Sequence, residues 1–243
     1  MRPRVLASGV ALALAVAGLA GPSWADTGGN PASAFGPASS PPVSGWQIGY
    51  YTPSLRTLSY AQAFKGTGEA SLNFTSSPYT ALLITGQKAK YPSLLGDLSG
   101  DSTVSATLTV SGVTGLFTYM GEPSCGPTPQ EGGPEANVRF YFQTSNAGGF
   151  DETHYWWSNP VSLPLLDSSS NGTVTLTTSL NGSLWSDYYG HFGNVPPYSA
   201  GFNAALSNVT DMGLSFGGGC FFENGVGTSD GSGTFTIDSF TAS

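Results

Sequence analysis

Charged side chains are scarce in this chain: Lys, Arg, Asp and Glu together make up 9% of its 243 residues, against about 25% in an average globular protein. Basic residues are the scarcest, with 7 Lys+Arg facing 15 Asp+Glu. Nucleic acid and anionic membrane surfaces are excluded as partners on that ground, because both are held by clustered cations that displace condensed counterions. Histidine is nearly missing as well. His154 and His191 are the only two, too few for a multi-histidine metal centre. The two cysteines, Cys125 and Cys220, have neither a Cys-x-x-Cys spacing nor a neighbouring His, so the common zinc patterns and a His-activated thiol are unsupported. Past residue 20 there is no apolar run long enough to span a bilayer, which takes about 20 residues.

What is present is turn-forming and aromatic. The chain holds 34 Gly and 17 Pro, and 12% of it is Phe, Trp or Tyr. That composition is hostile to long helices and coiled coils. The aromatic content with low charge is also the opposite of the disordered signature.

The first 25 residues read as a secretory signal peptide. Arg2 and Arg4 precede an Ala/Leu/Val run from Val5 to Ala20, a Gly21-Pro22 break follows, and Ser23 and Ala25 supply the small residues of a cleavage site. The expected mature protein begins at Asp26, is extracellular, and carries five cations against 15 acids. Residues 26–45, rich in Pro, Gly, Ala and Ser, read as a flexible leader. Residues 46–243 show no repeat and no internal boundary, so one domain is expected. In an oxidising compartment the only two cysteines form a natural pair. Their bond would close a loop of 95 residues, for which chain entropy predicts about 4–5 kcal/mol of stabilisation.

Beyond Trp46, apolar residues recur with period two. Val104, Ala106, Leu108 and Val110 alternate with Ser and Thr from Ser102 to Ser111; Val138, Phe140 and Phe142 share a face between Asn137 and Thr144. Gly172 to Leu180 and Met212 to Phe216 follow the same rule. Further strands are predicted at Ala70–Phe74, Thr80–Thr85, Gly115–Met120, Tyr155–Trp157 and Gly233–Thr241. One stretch breaks the pattern: Phe202, Ala205, Leu206 and Val209 fall at helical spacing. Nine or ten short strands with one short helix predict an all-β antiparallel sandwich, since a parallel sheet would need a helix between most strands.

The order of these features resembles a known family. Leu95-Gly-Asp-Leu-Ser-Gly100 leads into a Ser/Thr-alternating strand; Trp185-Ser-Asp, the helix, Asn208-Val-Thr-Asp-Met-Gly-Leu-Ser-Phe-Gly-Gly218 and Gly233-Thr-Phe-Thr-Ile-Asp-Ser-Phe240 follow. This succession is similar to the jelly-roll carbohydrate-binding modules of galactose-binding-like type found in secreted bacterial proteins. The resemblance implies a jelly-roll β-sandwich, carbohydrate binding, and a structural calcium on a final-strand acid, here Asp238.

Three functions follow as expectations. The first is a secreted, monomeric, non-catalytic protein that binds a neutral polysaccharide. Sugar rings offer apolar faces to aromatic side chains and hydroxyls to a few polar ones. The candidate contacts are Trp156 or Trp157 of the Tyr155-Trp156-Trp157 run, Trp185 and Tyr188 in a polar loop, and Arg139 and Gln143 opposite Phe140. The second is a glycoside hydrolase or polysaccharide lyase. Glu122 lies three residues before Cys125 and Glu223 three after Cys220, so a disulfide would draw two carboxyls toward one rim, and paired carboxyls perform glycoside hydrolysis. The third is a surface adhesion protein whose exposed aromatics form a protein interface.

Mass spectrometry of the exported protein is expected to show Asp26 as the first residue. Non-reduced peptide mapping is expected to link the Cys125 and Cys220 fragments, and two freely alkylated thiols in native protein would contradict the pairing.

Overall fold

A computed structural model of the chain describes residues 45–52, 57–120, 127–218 and 223–243. The signal and leader segments, Glu122, Cys125 and Cys220 lie outside the described residues. Two antiparallel sheets pack face to face as a sandwich, with one α-helix at the edge.

The smaller sheet has four strands, ordered β3 (Ala70–Asn73), β13 (Thr234–Ala242), β5 (Thr103–Ser111) and β9 (Gly172–Ser179). β5 explains the architecture in miniature. Val104, Ala106, Leu108 and Val110 are buried and the Ser and Thr between them face outward, because successive strand side chains point to opposite faces. The larger sheet runs β10 (Trp185–Ser186), β8 (Tyr155–Leu165), β7 (Ala136–Thr144), β11 (Val209–Gly217), β4 (Tyr79–Thr85), β1 (Gln47–Thr52) and β2 (Thr57–Gln62). Off this path, β12 (Val226–Thr228) pairs with β4 and with β6 (Phe117–Tyr119).

Between the sheets lies one aromatic core. Phe140 meets Phe240 edge-on at 5.6 Å, Phe142 meets Trp185 at 4.9 Å, and Phe74 meets Phe117 at 4.9 Å. Helix α1 (Tyr198–Leu206) buries Phe202, Ala205 and Leu206, and Phe202 closes on Trp156 at 5.0 Å. The helical spacing continued to Val209 in the sequence, but the helix ends at Leu206. Val209 instead opens β11, where its N–H and C=O both bond Gly96 at 2.8 Å. No helix among the described residues is long and apolar enough to cross a membrane.

The larger sheet is apolar on its other face too. Ala81, Leu82, Ile84, Tyr141, Tyr155 and Trp157 form a second buried cluster, with Tyr51, Leu58, Tyr60, Phe150 and Tyr188 packed against it. Strand approach under this cluster depends on glycine. A Cβ on Gly213 would lie 2.2 Å from the Leu83 carbonyl oxygen, so another residue there would push β11 off β4.

Trp156 is fully buried between α1 and the sheet. Trp156→Ala is expected to lower stability by about 3–5 kcal/mol, read as a shifted urea midpoint at constant m-value. A change under 1 kcal/mol would show that the helix does not dock on this ring.

Candidate functional site

The outer face of the larger sheet gathers the chemistry of the molecule. Register dictates its rows. Tyr141 stands opposite Trp157 on β8 and Gly213 on β11; Gln143 stands opposite Tyr155 and Asp211; Arg139 stands opposite Ser215. Tyr60 stands opposite Gly49, and its ring edge comes within 3.3 Å of the position a Cβ on that glycine would take. The missing side chain at Gly49 lets Tyr60 lie over the sheet.

A hydrogen-bonded chain links these residues. The Tyr141 hydroxyl donates to Gln143 Oε1. Gln143 Nε2 donates to Asp211 Oδ2 at 2.9 Å, and the Thr210 hydroxyl donates to the same oxygen at 3.0 Å. Trp157 Nε1 donates to Ser215 Oγ at 3.1 Å. Arg139 Nη1 donates to the Ser158 carbonyl at 3.1 Å and its Nε to Asn137 Oδ1 at 3.1 Å.

Burial perturbs the titratable groups Asp211, Glu223, Tyr60, Tyr141 and Tyr155. Desolvation raises the Asp211 carboxyl above the usual range, against the lowering effect of its Thr210 and Gln143 bonds. Desolvation pushes the Glu223 carboxyl up to about 7. The Tyr155 hydroxyl rises to about 12, and those of Tyr60 and Tyr141 rise further: burial leads in both, followed by the Asp211 charge for Tyr60 and by Tyr60 and then Asp211 for Tyr141. The Glu223 charge also raises Tyr141. Glu223 is positioned by its neighbour Asn224. That buried amide accepts from Gly218 N at 2.9 Å and donates to the Met120 and Gly218 carbonyls at 2.8 and 3.0 Å.

One wall is a loop. Phe150 packs edge-on against Tyr188 at 5.1 Å and stacks on Tyr155 at 5.8 Å, and Tyr188 lies 6.4 Å from Trp157. The loop is knotted by Asp187, whose Oδ1 accepts from Tyr189 N and His191 N at 2.9 and 2.8 Å and whose Oδ2 lies 3.1 Å from His191 Nδ1. His191 stacks on Tyr198 at 3.9 Å, and Tyr189 and Phe192 remain 39% and 38% exposed beside it.

The sequence candidates divide accordingly. Trp157, Tyr188, Arg139 and Gln143 lie on this face, and Glu223 lies beside Asn224 after the end of β11. Trp156 and Trp185 do not: both are 0% exposed in the inter-sheet core, their indole N–H groups bonded to the Thr153 and Ser179 carbonyls at 2.7 and 2.9 Å. Asp238 lies on the far side of the molecule, on the exposed face of the smaller sheet, accepting from Thr109 Oγ1 at 2.6 Å. Calcium takes 6–8 oxygens, and no group of three acidic, His or Cys side chains gathers among the described residues.

Sequence reasoning missed Tyr60, Tyr141, Tyr155 and Asp211. Tyr141 was within reach, since it lies between Arg139 and Gln143 at the same parity. Two Gly-x-Ser-x-Gly stretches, at 213–217 and 227–231, form no strand-to-helix elbow: the first lies inside β11 and the second makes the turn after β12. Compared with known proteins, the chain matches no family model, and no curated protein shows significant similarity to it.

The Glu223 carboxyl gives the site a pH signature. Above 4.5 the unfolded chain loses this proton while the folded chain keeps it up to about 7. Stability should therefore fall as pH rises through that window. Glu223→Gln removes the penalty and is expected to gain on the order of 2–3 kcal/mol at pH 8 and nothing at pH 4. Urea unfolding at both pH values checks this, and a variant no more stable than wild type at pH 8 would contradict the desolvated carboxyl.

Proposed function

We propose that this chain is an exported, non-catalytic carbohydrate-binding protein that holds a glycan without acidic groups on the outer face of its larger sheet. The observation that carries this reading is the coincidence, on one face, of the half-buried rings of Tyr60 and Tyr188 and the exposed ring of Tyr189, laid over buried Tyr141, Tyr155 and Trp157, with half-buried Gln143, Asp211 and Arg139 as hydrogen-bonding groups. Such a surface offers what a sugar needs, an apolar face for its C–H groups and a few fixed polar partners. The sandwich with one short helix agrees with the galactose-binding-like resemblance, and the acidic chain disfavours anionic polymers by repulsion.

A second reading, glycoside cleavage, is favoured by a specific observation. Burial pushes the Glu223 carboxyl up to about 7, and a carboxyl that keeps its proton near neutrality is what the general acid of glycosidic bond hydrolysis requires. A glycan array combined with a reducing-sugar assay separates the readings. Retention without sugar release supports binding. Release that is abolished in Glu223→Gln supports cleavage.

Tyr188 and Tyr189 both lie outside the inter-sheet core. Tyr188→Ala together with Tyr189→Ala is expected to weaken glycan binding by about 2 kcal/mol or more, some thirtyfold, as for other aromatic hot spots. If the double variant retains every glycan as wild type does, the face is not a carbohydrate site, and the exposed Tyr189, Phe192 and Val195 point instead to a protein interface.

A further inference from the structure

We propose that His191 is a polar recognition residue at the wall of the glycan-binding face, its Nε2 accepting a hydrogen bond from a sugar hydroxyl beside the Tyr189 ring, and that buried Asp187 is the positioning residue that keeps a lone pair on that nitrogen. The inference rests on the carbohydrate-binding reading and names the side chain that reads the sugar's hydroxyl.

The loop closes on itself first. Asp187 N–H donates to the His191 carbonyl and Gly190 N–H to the Asp187 carbonyl, both at 2.9 Å. Gly190 takes a φ of 85°, the left-handed conformation that glycine enters without strain. Ser186 bridges to Phe192, and Gly193 N–H bonds the Trp185 carbonyl at 3.0 Å, which ties the base of the loop to β10. Within this turn the Asp187 side chain is 0% exposed, while that of His191 is 39% exposed.

The imidazole is held on two sides. One face lies flat on Tyr198 of α1, with centroids 3.9 Å apart and planes within 4°. Its Nδ1 lies 3.1 Å from Asp187 Oδ2. The other carboxylate oxygen, Oδ1, is taken by two backbone donors, Tyr189 N–H at 2.9 Å and His191 N–H at 2.8 Å, so Oδ2 is the oxygen that serves the ring. An ionised carboxylate only accepts; Nδ1 therefore carries the proton, and the neutral ring keeps its lone pair on Nε2. Nε2 has no hydrogen-bond partner among the described residues and is not buried. Tyr189, two residues before, is 39% exposed and meets His191 at 6.3 Å and 67°. An exposed ring next to a fixed acceptor supplies what a sugar needs, a face for its C–H groups and a partner for one hydroxyl. Gln143 and Asp211 differ in this respect, since they already bond each other.

The test reads the two histidine side chains by nitrogen NMR at pH 8, with His154 as the internal reference. In the free protein the His191 proton is expected on Nδ1. Cellohexaose, mannohexaose, xylohexaose and hexa-N-acetylchitohexaose are then added in turn; a bound sugar is expected to shift the His191 Nε2 resonance and leave His154 in place. Asp187→Asn is the decisive variant. The introduced amide must turn its oxygen to the two backbone donors, so its NH2 group faces Nδ1, and the ring is driven to the Nε2–H tautomer with the acceptor lost. Affinity is expected to fall on the order of tenfold, with the tautomer reversed and the amide spectrum of the strands unchanged. His191→Ala leaves the backbone bonds to Asp187 in place and is expected to lose affinity by a similar factor; it carries the test if Asp187→Asn does not fold. A sugar that binds wild type without moving the Nε2 resonance, or that binds the tautomer-reversed variant or His191→Ala as tightly as wild type, would overturn the role of His191 and leave the carbohydrate reading intact. A free protein with the proton on Nε2 would overturn Asp187 as the positioning residue. Failure of all four sugars and of every neutral glycan on an array would remove both readings together.

Discussion

The structure depends on the alternation of side chains along β7 and β8. Phe140-Tyr141-Phe142 and Tyr155-Trp156-Trp157 are unbroken aromatic runs, and a strand sends successive side chains to opposite faces. Both faces of the larger sheet must therefore carry rings. An antiparallel sheet ordinarily buries one face and wets the other, and this one cannot. The inner rings fill the sandwich, and the outer rings require a second cover, which β2, the Phe150 loop and the Asp187-knotted loop provide. The candidate site is a consequence of that cover. Where it thins, at half-buried Gln143, Asp211, Arg139 and Tyr60, polar and aromatic groups meet solvent side by side.

Most of the small sheet was legible because its strands obey a simple rule, apolar against hydroxyl, with one face wet. β5, β9 and β13 emerge from the sequence nearly at their observed bounds. The larger sheet was less legible for the reason just given. In β1 and β2, Ile48 faces the core while Gly49, Leu58 and Tyr60 face the outer cluster, so apolar residues fall at both parities and the period is lost. The sequence predicts β8 only over Tyr155–Trp157. The strand instead continues to Leu165, pairing with β7 beyond an irregularity in register. The tryptophans show the limit of exposure arguments. Alternation did require members of the Tyr155-Trp156-Trp157 run to leave the core, and Tyr155 and Trp157 do so. Leaving the core is not reaching solvent, since both are covered by elements distant in sequence. No local pattern reports Tyr60 folding over Gly49.

The second sheet solves the problem that low charge creates. A protein with 9% charged residues still has to keep its surface in water, and here the outer face of the smaller sheet does so with hydroxyls. Ser105 bonds Thr177 at 2.8 Å, Thr107 bonds Thr175 at 3.0 Å and Thr109 bonds Thr173 at 2.7 Å across the β5–β9 ladder. Each pair satisfies one donor internally and leaves lone pairs for water, while β-branched Thr favours the extended backbone.

This division of labour also bears on what the larger sheet can do. With solubility supplied by Thr and Ser on one face, the other can hold desolvated groups that would be liabilities on an ordinary surface. Asp211 and Glu223 are destabilising where they sit, since burial opposes their ionisation, and the fold gains nothing from them that Asn and Gln would not supply. Gln143 and Thr210 bond the Asp211 carboxyl, and a carboxyl whose ionisation is opposed by burial is a candidate for a functional role. The same cannot be said of Asp238 or Asp230. Both are exposed and satisfied by neighbouring hydroxyls, which is the ordinary state of an acid at a sheet edge or turn. The contrast in surroundings, rather than the number of acids, separates the candidate face from the rest of the surface.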